Sequence, residues 1–284
     1  MDASAVTLAL NLIYHIAVLA LVGLGLGIVF GLLGVMNMAH GEFIALGAYA
    51  MLAVQNHGLA PGYGVALAVL GTAALGYPVE RWLVRPLRSR PLDTLLATWG
   101  LSLLLRKSIE AVFGRQYQNV SNNLSGTSTL LGAEYPDYRL LLIVVIFVGF
   151  ALLALWYRRS PAGARLQASV ANRPLAQAIG IDVDRQACVA FVCGVASAGL
   201  AGALLAPLVR VEPLMGMDYL LDSFFVLVVG GLGSLSGLAA GSGIIGGTQV
   251  VVSTISDQTG GYVAVLLLSI GFLWLRPNGL LARR

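Results

Sequence analysis

The chain of 284 residues has a single lysine, Lys107, and only 11% of its residues are charged. With 58% hydrophobic residues, a water-soluble domain of this size would lack polar surface, so lipid is the expected solvent. Because Arg106 rather than glycine precedes the lysine, no Gly-x4-Gly-Lys-Ser/Thr phosphate loop exists, and ATP chemistry is excluded from this chain. Cysteine is scarce as well. Cys188 and Cys193 are spaced wrongly for a disulfide within one helix and are too few for a metal site, so they are expected as small core residues. The alternating ten-residue strands of a membrane β-barrel are missing. Only Asp2, and no basic residue, precedes the first apolar run. It therefore lacks the charged start of a cleaved signal peptide and is expected to be a retained first span with its N-terminus outside.

What is abundant is apolar sequence and glycine. Mean hydropathy is +0.85, and 35 glycines lie among apolar runs, as in tightly packed membrane helices. Apolar segments fall at 5–33, 42–56, 62–84, 92–113, 139–157, 186–210, 219–233, 238–256 and 261–275. The fold class is all-α: a polytopic transmembrane helical bundle of about eight or nine segments, some broken, forming one domain over 1–284. The net charge of +4 comes from arginine clusters between the runs, a pattern of membrane topology rather than of nucleic-acid binding. The clusters are Arg81, Arg85, Arg88 and Arg90; then Arg158, Arg159, Arg165, Arg173 and Arg185; then Arg276, Arg283 and Arg284. All three are expected in the cytoplasm. Even numbers of spans separate them, which places the C-terminus there too.

The exterior then holds the loop 114–138 and the short turns at Glu212–Asp218 and Asp257–Gly260. The longest cytoplasmic connection is 158–185. Helical patterns at Ala162–Val170 and Leu175–Ile179 are broken at Asn172-Arg173-Pro174, since proline disfavours helix in the residue before it. It reads either as a solvated loop or as two short surface helices that dock a cytoplasmic partner.

Two glycine-rich stretches, Gly23–Gly47 and Gly230–Gly247, interrupt apolar sequence near the two ends of the chain. Glycines four apart let a neighbouring backbone approach closely. Alternatively the helices break there, and paired breaks mark a transport path. His40 and Glu42 sit between apolar runs and are expected to face a cavity or a partner, because a fixed charge in the bilayer is costly. One His-x-Glu pair supplies too few ligands for a metal and no nucleophile, so catalytic, metal and cofactor sites are all expected to be none. Asp222 with Ser223 is expected in the first turn of the seventh segment, and His15 as a satisfied packing residue. Arg106, Lys107 and Glu110 read as an interfacial group in which Arg106 and Glu110 can pair, rather than as a site.

Gly34 to Tyr49, with its Asn37-Met38-Ala39-His40-Gly41-Glu42 core, closely resembles the permeases of branched-chain amino acid and urea ABC importers. Further resemblances are Pro91–Leu104, which leans toward the urea branch, Arg173–Ile181 in the cytoplasmic segment, Asp222–Gly237, and the close at Leu275–Leu280. The resemblance covers nearly the whole chain except Gln116–Tyr135, which matches no particular branch. It implies a bacterial inner-membrane subunit paired with a related permease as a heterodimer, two cytoplasmic ATPases and an external solute-binding protein. By the same resemblance, Arg165, Arg173, Ala176, Ala178 and Gly180 would contact the ATPase. The path or its gates would involve Asn37, His40, Glu42, Thr98, Ser102, Gly230, Gly231, Gly233, Ser234 and Ser236. Urea or a related small amide is the expected solute. A branched-chain amino acid is the alternative, and an ATP-independent channel or secondary transporter is a further one.

Overall fold

Prolines and short polar side chains punctuate the chain and set most helix starts. Pro61, Pro91 and Pro161 each open a helix, where a missing N–H costs nothing. Ser160, Asn172, Asp182, Ser234 and Asp257 each accept a hydrogen bond from a backbone N–H three residues on. The computed structural model describes residues 3–34, 36–122, 124–231, 233–276 and 279–280. Val35, Asn123, Leu232, Pro277, Asn278, Arg283 and Arg284, which enter the motifs and clusters above, lie outside the described residues.

The helices are α1 (Ala3–Leu33), α2 (His40–Asn56), α3 (Pro61–Pro78), α4 (Arg85–Leu87), α5 (Pro91–Phe113), α6 (Asp137–Arg159), α7 (Pro161–Ala171), α8 (Arg173–Ala178), α9 (Val183–Leu205), α10 (Met215–Gly230), α11 (Leu235–Ile255) and α12 (Gln258–Leu275). Six helical stretches among the described residues are long and apolar enough to cross a membrane: Ala3–Leu33, Pro61–Leu87, Asp137–Arg159, Val183–Leu208, Leu235–Ile255 and Gln258–Leu275. This is a polytopic helical membrane protein.

Beside the helices, the described residues include one small sheet. The loop 114–138 carries an antiparallel hairpin of β1 (Thr127–Leu130) and β2 (Ala133–Pro136), joined by Leu131 and Gly132, both at positive φ. Two such residues make the turn whose twist matches the flanking strands.

The chain divides into two compact units. The first comprises 1–23, 122–154 and 222–284. In it, α10 and α11 approach through glycine. A Cβ at Gly230 would overlap the Gly237 carbonyl oxygen, and one at Gly241 the Val226 carbonyl oxygen. His15 and Gln249 pair across α1 and α11 at 2.9 Å, so His15 is the satisfied packing residue expected. The Leu280 N–H donates to the Val229 carbonyl near the end of α10.

The second unit comprises 24–121 and 155–221 and is built on α2, α3 and α9. Glycine again sets the spacing. A Cβ at Gly41 would overlap the Gly216 carbonyl oxygen, one at Gly47 that of Gly199, and one at Gly202 that of Ile44. At one end of this unit Gln118 and Val211 form a two-bond bridge, and Gln55 donates to the Asn119 carbonyl.

Toward the other end α3 stops being regular. Proline at 78 cannot supply its helical N–H, and residues Val79–Val84 form a π-helical turn in which the Arg85 N–H reaches the Glu80 carbonyl. α9 starts nearby, and its Asp184 pairs with Arg85 at 3.1 Å, Arg88 at 3.0 Å and Arg173 at 3.3 Å. Members of the first two arginine clusters therefore meet on one carboxylate.

Several local expectations are revised. The breaks are shorter than the glycine-rich stretches: α1 runs unbroken through Gly23, Gly27 and Gly31, and α11 through Gly237 to Gly247. α1 ends at Leu33 and α2 begins at His40, with Gly34 at φ +65° between them; α10 ends at Gly230 and α11 begins at Leu235, with Gly231 and Gly233 at φ +104° and +85°. Asp222 lies in the middle of α10 instead of its first turn, because that helix begins at Met215 and Asp218 is the acid at its start. Of the cysteines, Cys188 is half-buried and Cys193 is exposed, so neither is a core residue.

Candidate functional site

The polar residues around the first helix break gather inside the second unit. The backbone turn after Gly34 is held by Asn37, whose Oδ1 accepts from the Ala39 N–H at 3.1 Å while its carbonyl accepts from the His40 N–H. α2 then begins with His40 and Glu42 in its first turn, both buried. Gly25 of α1 makes room for the imidazole: a Cβ there would come within 2.8 Å of His40 Cε1 and of Ser197 Oγ on α9.

α5 faces this turn with one residue in four. Thr94, Thr98 and Ser102 are buried at successive i, i+4 positions, and Arg106 continues the row. Thr98 Oγ1 accepts from the Met38 N–H at 3.2 Å and donates to the Leu95 carbonyl. Ser102 donates to Glu42 Oε1 at 3.1 Å. Arg106 donates to the same oxygen from Nε at 3.1 Å and from Nη2 at 2.5 Å. The carboxylate side chain is 2% exposed and the guanidinium side chain 12%, so the pair is removed from solvent.

This revises the reading of Arg106, Lys107 and Glu110 as one interfacial group. Glu110 pairs instead with Lys107 at 2.8 Å and Arg115 at 3.1 Å, and Arg106 belongs to the interior. The signal that could have found it was the i, i+4 polar row on an otherwise apolar helix.

Asn37, His40, Glu42, Thr98 and Ser102 are thus brought together. Gly230, Gly231, Gly233, Ser234 and Ser236 belong to the first unit, where Ser234 caps α11, Ser236 is exposed and Gly230 packs against Gly237. The Asn37 Nδ2 amide and Glu42 Oε2 are buried without a hydrogen-bond partner among the described residues. A donor and an acceptor left open in this way call for an explanation, since most buried polar atoms are paired. The described residues contain no group of three or more side chains able to hold a metal ion. With Glu42 paired to Arg106, the arrangement offers hydrogen-bonding groups rather than a nucleophile.

The segment 158–185 forms two short helices, α7 and α8, with the break at Asn172. Ala176 is buried against the unit, whereas Leu175 and Ile179 are 59% and 68% exposed. Arg165 and Ala178 are exposed, Arg173 reaches Asp184, and Gly180 turns the chain at φ +85°. Leu175 and Ala178 of α8, with Ile179 just after it, are therefore exposed apolar residues, and Ala176 is not.

Residues 8–273 match the family described as branched-chain amino acid transport system, permease component. The high-affinity branched-chain amino acid transport system permease protein LivH of Salmonella typhimurium is 28% identical over 280 residues, covering 93% of this chain and 91% of that protein. BraD of Pseudomonas aeruginosa, named for the same transport role, is also 28% identical, with 93% and 91% covered. LivM of Escherichia coli is 25% identical, with 92% and 67% covered. In fold, the chain resembles the structure of PsaBC from Streptococcus pneumoniae in complex with Fab, at a TM-score of 0.50 and 14% identity, covering 93% of this chain and 88% of that one. The lean toward urea drawn from Pro91–Leu104 finds no support in these relatives.

Proposed function

The chain belongs to the family of branched-chain amino acid transport permease components, and from that premise we propose that it forms the translocation path of an ABC importer. It is a multi-pass inner-membrane transport component rather than an enzyme. The solute proposed is a branched-chain amino acid, which replaces urea as the first reading. The companions proposed are a related permease subunit, two cytoplasmic ATPases and an external solute-binding protein.

The observation that carries this reading is the mounting of α8. Its exposed Leu175 and Ile179 offer an apolar contact to a second protein, while Arg173 ties its start through Asp184 to Arg85 and Arg88. Arg88 in turn reaches Glu80 at 2.7 Å, with side-chain exposures of 8% and 0%. A push on α8 is thereby passed to the π turn below α3 and to the start of α9. This is what a subunit without a phosphate loop needs if another protein supplies the work.

The topology proposed is nine crossings with the N-terminus outside and the C-terminus in the cytoplasm. Its support within the second unit is twofold. Arg85, Arg88 and Arg173, from two clusters expected on one side, meet on Asp184. The expected exterior segments around Gln118 and Val211 are bridged at the other end.

The path-lining role is assigned to Asn37, His40, Glu42, Thr98 and Ser102, with the breaks at 34–39 and 231–234 as gates. The open Asn37 amide can donate to a carboxylate, and the open Glu42 oxygen can accept from an ammonium group, the two ends of an amino-acid zwitterion.

The test is reconstitution in liposomes with the companion permease, the ATPases and the binding protein. Labelled leucine is expected to accumulate only with ATP. Accumulation without ATP would sink the importer reading, and urea uptake in place of leucine would restore urea.

A further inference from the structure

Beside α9, where the π turn replaces regular helix, lies a cavity of about 510 Å³ that is open to the surface. Arg81 and Arg85 enter it from the turn and Arg185 from the first turn of α9. Further along the helices its wall is apolar: Tyr77 and Val189 are 57% and 51% exposed, and Cys193 is exposed as well.

The carboxylates at the polar end are already engaged. Asp184 is shared by Arg85, Arg88 and Arg173, Glu80 accepts from Arg88, and Asp182 caps α9 by accepting from the Arg185 N–H. Arg81 and Arg185 form no ion pair among the described residues. With Arg88 and Arg173 paired behind the wall, Arg81, Arg85, Arg88, Arg173 and Arg185 outnumber Glu80, Asp182 and Asp184, so the cavity is positive at one end and apolar at the other. It lies at the end of two membrane-crossing stretches, Pro61–Leu87 and Val183–Leu208. Basic pockets between membrane helices recognise lipid headgroups in this way.

We propose that the cavity binds an anionic glycerophospholipid, with its phosphodiester held by Arg81 and Arg185 beside Arg85, and an acyl chain laid along Tyr77, Val189 and Cys193. Free phosphate would use the arginines and leave the apolar wall bare; a lipid uses both. The inference rests on the proposed topology only for which leaflet supplies the lipid, and it is independent of the solute.

The experiment is native mass spectrometry of the complete transporter in nanodiscs of phosphatidylglycerol or of phosphatidylcholine. Wild-type protein is expected to retain phosphatidylglycerol per copy of this chain in preference to phosphatidylcholine. Arg81→Gln/Arg185→Gln should lower that retention about thirtyfold, two basic contacts being lost, while Arg159→Gln leaves it unchanged. Equal retention by the double variant and wild type would overturn the proposal. So would displacement of the lipid by glycerol phosphate as readily as by added phosphatidylglycerol, which would mark a phosphate site. Should the double variant fail to assemble, a photoactivatable phosphatidylglycerol on wild-type protein is expected to crosslink to Val189–Cys193. Crosslinking elsewhere, or coverage of those residues by a companion subunit, would refute it.

Discussion

Arg106, near the end of α5, places both Nε and Nη2 on a single carboxylate oxygen of Glu42 in the first turn of α2. The two lie 64 residues apart in sequence, and neither charge would be tolerated alone in that interior.

Glu42→Ala should therefore be more damaging than the removal of both partners. Stranding a buried charge costs about 3–5 kcal/mol, whereas deleting the pair spares that penalty. Thermal unfolding of the purified complex is expected to rank wild type above Glu42→Ala/Arg106→Ala, with each single variant lowest. A double variant as unstable as the worse single variant would contradict a paired role.

Glycine positions should separate into two classes. Gly202→Ala sets a methyl against the Ile44 carbonyl oxygen and should destabilise assembly. Gly71 and Gly149 have open space around the added Cβ, so Gly71→Ala and Gly149→Ala should stabilise by up to about 1 kcal/mol through helix propensity. Melting temperatures of the three variants would check the division, and equal destabilisation would refute it.

Docking and transmission should be separable at α8. Leu175→Glu with Ile179→Glu is expected to abolish co-purification of the ATPases. Asp184→Asn should leave co-purification intact yet reduce solute moved per ATP about tenfold, within the usual range of coupling energies. Unchanged stoichiometry of transport in Asp184→Asn would remove that carboxylate from the transmission route.

In the hairpin, Leu131 adopts φ +51° at a turn position where asparagine is favoured. Leu131→Asn is expected to relieve about 1 kcal/mol of left-handed backbone strain and to raise resistance of the loop to proteolysis. Faster cleavage would argue against this turn.

The helical segments were legible because apolar runs of spanning length announce themselves, and so were α7 and α8, because proline marks the break between them. The cluster of Asn37, His40 and Glu42 was visible as polarity stranded between apolar runs. Arg106 was not, since its partner lies far away in sequence and an arginine near a helix end has a ready interfacial explanation. The hairpin escaped notice because Thr127–Pro136 has neither strong alternation nor an Asn-Gly turn. Ala176 could not be told from its neighbours, as a six-residue helix has too few turns for one face to declare itself.

The π turn at Val79–Val84 has a consequence for insertions and deletions. Such a turn holds one residue more than an α-helix needs and absorbs it locally, so the faces before and after it keep their register. Deleting a single residue there would close the regular ladder with Arg85 and Arg88 still on the Asp184 side, whereas the same deletion in regular helix would rotate everything after it by about 100°. The segment should therefore tolerate the loss of one residue better than the helical turns on either side of it.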